Sequence, residues 1–349
     1  MLAFIGTYTH STGSAGIYTV AVGGDGRYLL RPAESRGIEN PSWLISHPSR
    51  PVIYAVSETS ANGAGGVTAF AYDNAGALTQ CAAVSSLGSD PCHLAIDSRG
   101  SRIYVANYSG GNFASFSLLP DGAMGELLTL VQHTGRGIDP VRQKHPHVHS
   151  LLLDEQSGQV FVADLGTDKL FAYPATAAGV DVAGRRSYPT RPGAGPRLAC
   201  MDATGSYLWL INELDNTVVA YGVSAGVLTE LATVPTLPPE FDDASYCAHI
   251  AVSSDGKFLY ASNRGHDSIT VFALEDGQPV PCQWQPSGGR HPRYFCLSPG
   301  ERELWVANRD DNNISVFERD TASGRLGECV ARLEVPAPVC ILFVDPAAS

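Results

Sequence analysis

Short apolar runs that each end in a polar residue recur along the chain at intervals of about fifty residues. Seven of these runs can be aligned with one another: AFIGTY, IYAVSE, IYVANY, VFVADL, LWLINE, LYASNR and LWVANR. Each is followed by a turn and by a second run in which apolar and polar residues alternate, as in GVTAF, NFASF and SITVF. Because alternation with a period of two is typical of β-strands, each pair of runs predicts a hairpin.

A further apolar run stands before six of the seven hairpins: PSWLISH, PCHLAID, HVHSLLLD, PRLACMD, AHIAVS and PRYFCLS. The first hairpin has no such run before it, whereas PVCILFV near the C-terminus has no hairpin after it. Repeats of this length with four strands each are typical of propeller blades. We therefore predict an all-β fold in which residues 1–349 form a single seven-bladed β-propeller domain. In this fold the C-terminal strand completes the N-terminal blade and closes the ring.

Two strand ends of every blade should meet at one mouth of the central channel. We call the innermost strand of a blade strand a and its neighbour strand b; the start of a and the end of b lie together because the two strands are antiparallel. The predicted strand a positions are Trp43, His93, His149, Leu198, His249, Tyr294 and Cys340. The predicted strand b positions are Tyr8, Glu58, Tyr108, Leu165, Glu213, Arg264 and Arg309. Such a concentration of charged and imidazole groups predicts a ligand site at this mouth.

Two of these charged residues, Glu213 and Arg264, suggest specific chemistry, as does Arg197, which directly precedes Leu198. Glu213 could take a proton from water if partial burial raises its pKa; its alternative role is a salt bridge with arginine. The guanidinium groups of Arg197 and Arg264 suit a carboxylate, a phosphate or a developing oxyanion. Their alternative role is a structural bridge between blades that ends on a backbone carbonyl.

The segment RQKHPHVHS holds the densest set of candidate ligands. His147 and His149 should face the same side of a strand and could bind a metal, but no third ligand is evident nearby, so we predict no metal site. Each imidazole could instead carry a proton or have a structural hydrogen bond. The residues expected to bind substrate are Arg142, Gln143, His147, His93, His249, Glu58 and Arg309.

Charge and cysteine usage narrow the possible partners. A net charge of −12 disfavours nucleic acids and anionic membranes, since the long-range field would repel both. The opening MLAFIGTYTH lacks the charged and apolar regions of a secretory signal, and no segment is apolar enough to span a membrane. The eight cysteines are dispersed, without CxxC pairs, as expected for buried reduced thiols. We expect a cytoplasmic protein, a monomer or weak dimer, that binds a small anionic molecule.

Several longer motifs are distributed along the chain: ENPSWL, DPCHLAID, VANYSGGN, DPVRQKHPHVHS, PGAGPR, NELDNTV and VANRDDNNISVF. With them the chain resembles the β-propeller lactonases, the family that includes bacterial 6-phosphogluconolactonases and fungal 3-carboxy-cis,cis-muconate cyclases. The resemblance implies hydrolysis of a sugar lactone, most simply 6-phosphogluconolactone, without a metal or organic cofactor. Its implied catalytic residues are His149, Arg197, Glu213 and Arg264.

Two alternatives to the lactonase activity stay open. One is a carboxymuconate-type lactonizing cycloisomerase that uses the same mouth, and the other is a propeller that binds a ligand without chemistry. The chain also departs from the family pattern, because Leu198 stands where a histidine is usual after the arginine of GPR. This departure bears on substrate identity.

Overall fold

A computed structural model describes residues 1–23, 27–32, 37–60 and 65–346. In these ranges the chain forms seven antiparallel sheets, and a single 3-10 turn, Leu165–Thr167, follows the second strand of the fourth sheet. No helix in them is long and apolar enough to cross a lipid bilayer. The seven-bladed propeller predicted from the repeats is confirmed.

The strands of each blade run outward from the central channel. Blade 1 consists of β29 (Pro338–Val344), β1 (Leu2–Thr7), β2 (Tyr18–Val22) and β3 (Tyr28–Arg31). Blade 2 consists of β4 (Leu44–Ser46), β5 (Val52–Ser57), β6 (Gly66–Tyr72) and β7 (Leu78–Ser85). Blade 3 consists of β8 (Pro91–Ile96), β9 (Arg102–Asn107), β10 (Asn112–Leu118) and β11 (Met124–Gln132).

Blade 4 differs from the others because its outermost strand is divided into two short pieces, both paired with the third strand. It consists of β12 (Val148–Asp154), β13 (Gln159–Asp164), β14 (Lys169–Thr176), β15 (Gly179–Val180) and β16 (Arg186–Pro189). Blade 5 consists of β17 (Pro196–Met201), β18 (Tyr207–Asn212), β19 (Thr217–Ser224) and β20 (Val227–Pro235). Blade 6 consists of β21 (Tyr246–Val252), β22 (Phe258–Arg264), β23 (Ser268–Glu275) and β24 (Gln278–Pro286). Blade 7 consists of β25 (Pro292–Leu297), β26 (Glu303–Asn308), β27 (Asn313–Arg319) and β28 (Leu326–Glu334).

The ring closes within blade 1, as predicted. Strand β29 pairs antiparallel with β1, in a register that runs from Leu2 opposite Val344 to Gly6 opposite Cys340. Without β29, the inner edge of β1 would expose unpaired backbone groups. The inner strands then contact one another in the ring order β29, β4, β8, β12, β17, β21 and β25.

Apolar side chains fill each junction between neighbouring blades. One buried cluster lies at every junction, including that between blades 7 and 1, where Ile5 and Trp305 pack together. Burial of this apolar surface holds the blades together and fixes the positions of their inner strands. All eight cysteines are free thiols, as expected, but only Cys92, Cys247 and Cys340 are buried. Cys200, Cys282 and Cys296 are partly buried, and the expectation of buried thiols is wrong for Cys81 and Cys329, which are exposed on outer strands.

Candidate active site

A β-bulge near the start of the inner strand turns one extra side chain toward the mouth in most blades. In β8, β12, β17 and β25, two inner-strand residues oppose a single residue of the second strand at this point. The extra residues are Cys92, His149, Arg197 and Arg293. A bulge bends its strand and redirects a side chain, which is why bulges are common beside active sites.

The bulges change the predicted alignment of the inner strands. His93 lies opposite Ala106, and the residue in the same position of blade 4 is Ser150, opposite Ala163. The predicted equivalence of His149 and His93 is therefore wrong by one residue. His149 belongs with Arg197 in the bulge layer, and His93 belongs to the layer beneath it.

Glu213 is the centre of the charged cluster at the mouth. It directly follows β18, and its side chain is only 4% exposed. Its Oε1 accepts a hydrogen bond from Nη2 of Arg142 at 2.5 Å. Its Oε2 lies 2.9 Å from Nε of Arg197 and 2.9 Å from Nη2 of Arg264. Nε2 of His149 is 3.9 Å from the same oxygen, so circular closure does bring these side chains together.

The two buried arginines are also held by backbone carbonyls. Nη1 of Arg197 donates across the blade junction to the carbonyl of Ala248. Arg264 donates to the carbonyls of Cys247 at 2.6 Å and Tyr246 at 3.2 Å. The catalytic and structural roles considered for these arginines are therefore compatible, because the carbonyl contacts orient the guanidinium groups toward the mouth.

A second group of polar side chains surrounds Glu58 on blade 2. The hydroxyl of Tyr8 lies 3.1 Å from both carboxylate oxygens, and the hydroxyl of Ser42 also donates to Glu58. The nearest guanidinium is that of Arg293, whose Nη2 is 3.7 Å from Oε2 of Glu58. Arg293 is 14% exposed, and within the described ranges it donates no hydrogen bond of normal length. Its donors are thus available to a ligand.

Positive charge exceeds negative charge in these two groups. Four arginines form ion pairs with only two glutamates, which leaves a formal charge of +2 in a protein whose net charge is −12. Beside them lies a cavity of about 10 Å³, which has room for about one water molecule. It is lined by the four bulge-layer residues Cys92, His149, Arg197 and Arg293, and by neighbours that include Ser42 and Val339. A small anion or a polarised carbonyl oxygen suits this environment.

The ionisation of Glu213 is set by its arginine neighbours. Burial by itself raises the pKa of the carboxyl group, but Arg264, Arg197 and Arg142 hold that pKa well below its ordinary value. The condition set for Glu213 as a proton acceptor, a pKa raised by partial burial, is therefore not met, because the cations outweigh the loss of solvent; its alternative role, a salt bridge with arginine, is observed. A carboxylate stabilised in this way is a weak proton acceptor.

The surroundings of His149 favour the neutral form of its side chain. Burial lowers the pKa of its imidazole well below the ordinary value, and Arg197 lowers the pKa further. The ring is therefore neutral at physiological pH and can accept a proton. Burial also lowers the pKa of Arg197 to about 10, which leaves that guanidinium charged.

Aromatic rings close the channel beneath the bulge layer. Trp43 packs against His93 with ring centroids 4.1 Å apart, and His249 packs against Tyr294 at the same distance. Burial lowers the pKa of His93 to about 3 and also lowers that of His249, so both imidazoles are neutral. These two predicted substrate-binding residues form the floor of the site together with the aromatic rings.

The remaining predicted residues fall in three different places. Arg142 joins the Glu213 cluster, and the ring of His147 stacks on Tyr108 with its Nδ1 3.0 Å from the Tyr108 carbonyl. Gln143 is fully buried and its amide is bonded to Asp168, Leu165 and Asp139, which leaves it outside the charged cluster. Arg309 pairs with Asp310 and lines a neighbouring hollow that it shares with Tyr8.

No group of three or more His, Cys, Asp or Glu side chains in the described part of the chain is placed to hold a metal ion. The site therefore consists of guanidinium, imidazole, carboxylate and hydroxyl groups around a cavity that opens at one mouth.

The chain matches a family model described as "Lactonase, 7-bladed beta-propeller" over residues 2–343. It belongs to this lactonase family. The 6-phosphogluconolactonase of Bacillus subtilis is 33% identical over 348 residues, which cover 98% of each chain. The 6-phosphogluconolactonase of Formosa agariphila is 31% identical over 340 residues, covering 95% of this chain and 96% of that protein. The solved structure of the periplasmic gluconolactonase of Pseudomonas aeruginosa superimposes with a TM-score of 0.91 at 29% identity and covers 99% of both chains.

The four residues that the resemblance to the lactonase family implied lie within one cluster here, but Arg293 was not among them. A signal for Arg293 is present in the sequence. His149, Arg197 and Arg293 each lie five residues before the turn residue that ends strand a, which is Asp154, Asp202 or Ser298. The bulge-layer residues are therefore found by counting five residues back from the turn that ends strand a. Counting forward from the first apolar residue of the strand does not find them.

Proposed function

We propose that this member of the lactonase family hydrolyses an anionic sugar lactone, and that 6-phosphogluconolactone is its substrate. The observation that carries the proposal is the guanidinium of Arg293, which is largely buried, has no hydrogen-bond acceptor among the described residues and faces the same small cavity as His149 and Arg197. Its ion pair with Glu58 at 3.7 Å and its position over the Tyr8 ring leave the N–H donors unfilled, and a buried donor is costly unless a ligand supplies an acceptor. The oxyanion of a tetrahedral intermediate is such an acceptor.

The proposed reaction begins with a water molecule that attacks the lactone carbonyl carbon. Its proton moves to Nε2 of the neutral His149, and the carbonyl oxygen becomes an oxyanion beside Arg197 and Arg293. The intermediate then collapses, the bond between the carbonyl carbon and the ring oxygen breaks, and His149 returns the proton to that oxygen. The product is an open-chain acid.

Glu213 supports these steps without taking the proton from water. Its carboxylate holds Arg142, Arg197 and Arg264 in place, and its charge stabilises the imidazolium that forms on His149 3.9 Å away. The side chain of Arg142 is 35% exposed, more than those of the other arginines in the ion-paired groups. It is therefore placed to bind the phosphate at the outer end of the substrate.

The test is the rate of acid release from 6-phosphogluconolactone, measured by titration at constant pH with the uncatalysed rate subtracted. Wild-type protein should accelerate the reaction, and Arg293→Met should lose most of that acceleration. Arg290→Met is the matched control, because Arg290 is exposed and paired with Asp311. Equal rates in the wild type and Arg293→Met would refute the assignment.

The same assay separates the alternatives. Unphosphorylated gluconolactone tests the contribution of the phosphate, and turnover of a carboxymuconate, followed by ultraviolet absorbance, would favour the cycloisomerase. Ligand binding without turnover of any of the three would favour a binding protein. The cytoplasmic location expected from the sequence stays a prediction, and the Pseudomonas relative is named as a periplasmic enzyme.

A further inference from the structure

Asp168 binds two separate loops at the mouth through one buried carboxylate. Its Oδ1 accepts hydrogen bonds from Nε2 of Gln143 at 2.6 Å and from the backbone N–H of Gly195 at 2.9 Å. Its Oδ2 accepts from the backbone N–H of Gly193 at 2.8 Å. Gln143 belongs to loop 136–147, which carries Arg142, and the two glycines belong to loop 190–195, which leads into Arg197.

The first loop is connected to Arg142 by an unbroken series of hydrogen bonds. Gln143 donates to Asp168 and accepts through Oε1 from the backbone N–H of Asp139 at 3.0 Å. Oδ1 of Asp139 in turn accepts from the backbone N–H of Arg142 at 2.8 Å. Hydrogen bonds therefore link Asp168 to the backbone of Arg142, beside the bond from Gln143 to the Leu165 carbonyl at 2.8 Å.

The second loop is connected to Glu213 in the same way. Gly195, which Asp168 holds by its N–H, accepts a hydrogen bond through its carbonyl from the backbone N–H of Glu213 at 2.7 Å. Pro196 and Arg197 follow directly in the chain. Gly195 has a φ of 67°, a backbone conformation that glycine adopts without strain.

Asp168 has a left-handed backbone conformation in the turn between the second and third strands of blade 4, and other blades can be compared with it at this position. Asn216, Asp267 and Asn312 occupy the same left-handed turn position, and each side chain bonds the loop that enters the next blade. In blade 3 the position is Gly111, where a Cβ would lie 2.7 Å from the carbonyl oxygen of Pro146. At this turn position loop 136–147 thus packs directly on the backbone of blade 3, whereas in blade 4 the side chain of Asp168 bonds the loop through Gln143.

We propose that Asp168 is a positioning residue, which sets the guanidinium groups of Arg142 and Arg197 against Glu213 without contacting substrate. Gln143, predicted from the sequence to bind substrate, acts through its hydrogen bond to Asp168. The expected effect of Asp168 on the rate of catalysis rests on the proposed lactone hydrolysis. Its expected effect on the positions of the two arginines does not.

The kinetic test uses Asp168→Asn and Gln143→Met, with Asp202→Asn as the matched control. Asp202 also accepts backbone hydrogen bonds in a turn, but that turn joins β17 to β18, whereas Glu213 follows the far end of β18. We expect kcat/KM to fall about tenfold or more in the first two variants, because a small misplacement of a binding group is costly, and to be unchanged in the control.

A double-mutant cycle distinguishes positioning from a general loss of stability. If Gln143 acts through Arg142, Gln143→Met should have little further effect on kcat/KM in an Arg142→Ala background. Fully additive effects of the two substitutions would overturn the proposal, as would wild-type kinetics in both Asp168→Asn and Gln143→Met.

Crystal structures of Asp168→Asn and Gln143→Met test the geometry independently of any activity. We expect the contact between Nη2 of Arg142 and Oε1 of Glu213, 2.5 Å in the native protein, to be broken in both. An unchanged contact in both variants would overturn the proposal even if the enzyme is active. Absence of wild-type lactone hydrolysis would refute the proposed function and leave this structural test in force.

Discussion

Glu58 and Glu213 occupy the same position in two different blades, yet their surroundings differ. Each directly follows the second strand of its blade and points into the mouth. Glu213 has three guanidinium groups within 2.9 Å, whereas the single guanidinium beside Glu58 is 3.7 Å away. One glutamate is therefore the centre of a closed ionic network, and the other leaves its arginine free to bind.

This difference divides the mouth into a fixed side and an open side. On the fixed side, ion pairs and carbonyl contacts orient Arg197 and Arg264 before substrate arrives, so little reorganisation is needed during reaction. On the open side, Arg293 keeps unfilled donors next to the cavity. The position in the repeat alone does not determine the role of a glutamate; the number of cations that reach it does.

Substitution of Glu213 should have the largest effect, because it breaks the closed network. In Glu213→Gln three arginines lose their shared counter-ion, and we expect the free energy of unfolding to fall by about 3–5 kcal/mol. Urea denaturation measures the change. A loss below about 1 kcal/mol would show that the network contributes little to stability.

Substitution of Arg293 should affect catalysis and spare stability. Arg293→Met removes a donor for the oxyanion, and we expect kcat to fall by about 10²–10³-fold. The melting temperature should change little, because Arg293 contributes only a 3.7 Å ion pair with Glu58 and a contact with the ring of Tyr8. A large decrease in melting temperature with unchanged kcat would reverse the roles assigned to the two sides.

Substitution of Glu58 should have a smaller effect than that of Glu213. Glu58→Gln keeps the side-chain volume and most hydrogen-bonding capacity toward Tyr8 and Ser42, so we expect a loss of about 1 kcal/mol in unfolding free energy. Measured beside Glu213→Gln in the same denaturation experiment, it serves as the matched comparison. Equal losses in the two variants would contradict the division into a fixed and an open side.

The smallest of the predicted effects is the change of kcat/KM with pH over the physiological range. Burial holds the pKa of His149 well below 6.5, and the neutral imidazole is the active form in the proposed reaction. Activity is therefore lost only as the pH falls through that lowered pKa, and kcat/KM should be nearly constant from about pH 8 to about pH 6. A half-maximal value near pH 6.5 would indicate a histidine with an ordinary pKa.

The repeats predict the fold well because every blade presents the same pattern of apolar strands and turns. The ends of strand b were placed correctly, since Glu213 and Arg264 stand at the close of regular strands. The start of strand a was harder to place. A bulge adds one residue to the period-two pattern, and this shifted His149 relative to His93 and concealed Arg293.

The ionisation states could not be predicted from the sequence. Whether the pKa of Glu213 rises or falls depends on how many guanidinium groups approach it. One of them, Arg142, comes from a loop that precedes Glu213 by 71 residues in the sequence. The role of Gln143 depends in the same way on Asp168, which follows it by 25 positions. These contacts are determined by ring closure and loop geometry. The repeat pattern of the sequence does not indicate them.

Pairing of β29 with β1 also determines when this cavity can first exist. Val339 belongs to β29 and lines the cavity, while Tyr8 follows β1 and bonds Glu58, so one wall requires segments made more than three hundred residues apart. During synthesis at the ribosome, blades 2 to 7 could be complete while blade 1 still lacks its inner strand. The cavity therefore cannot form in the nascent chain until residues 338–344 have emerged and docked.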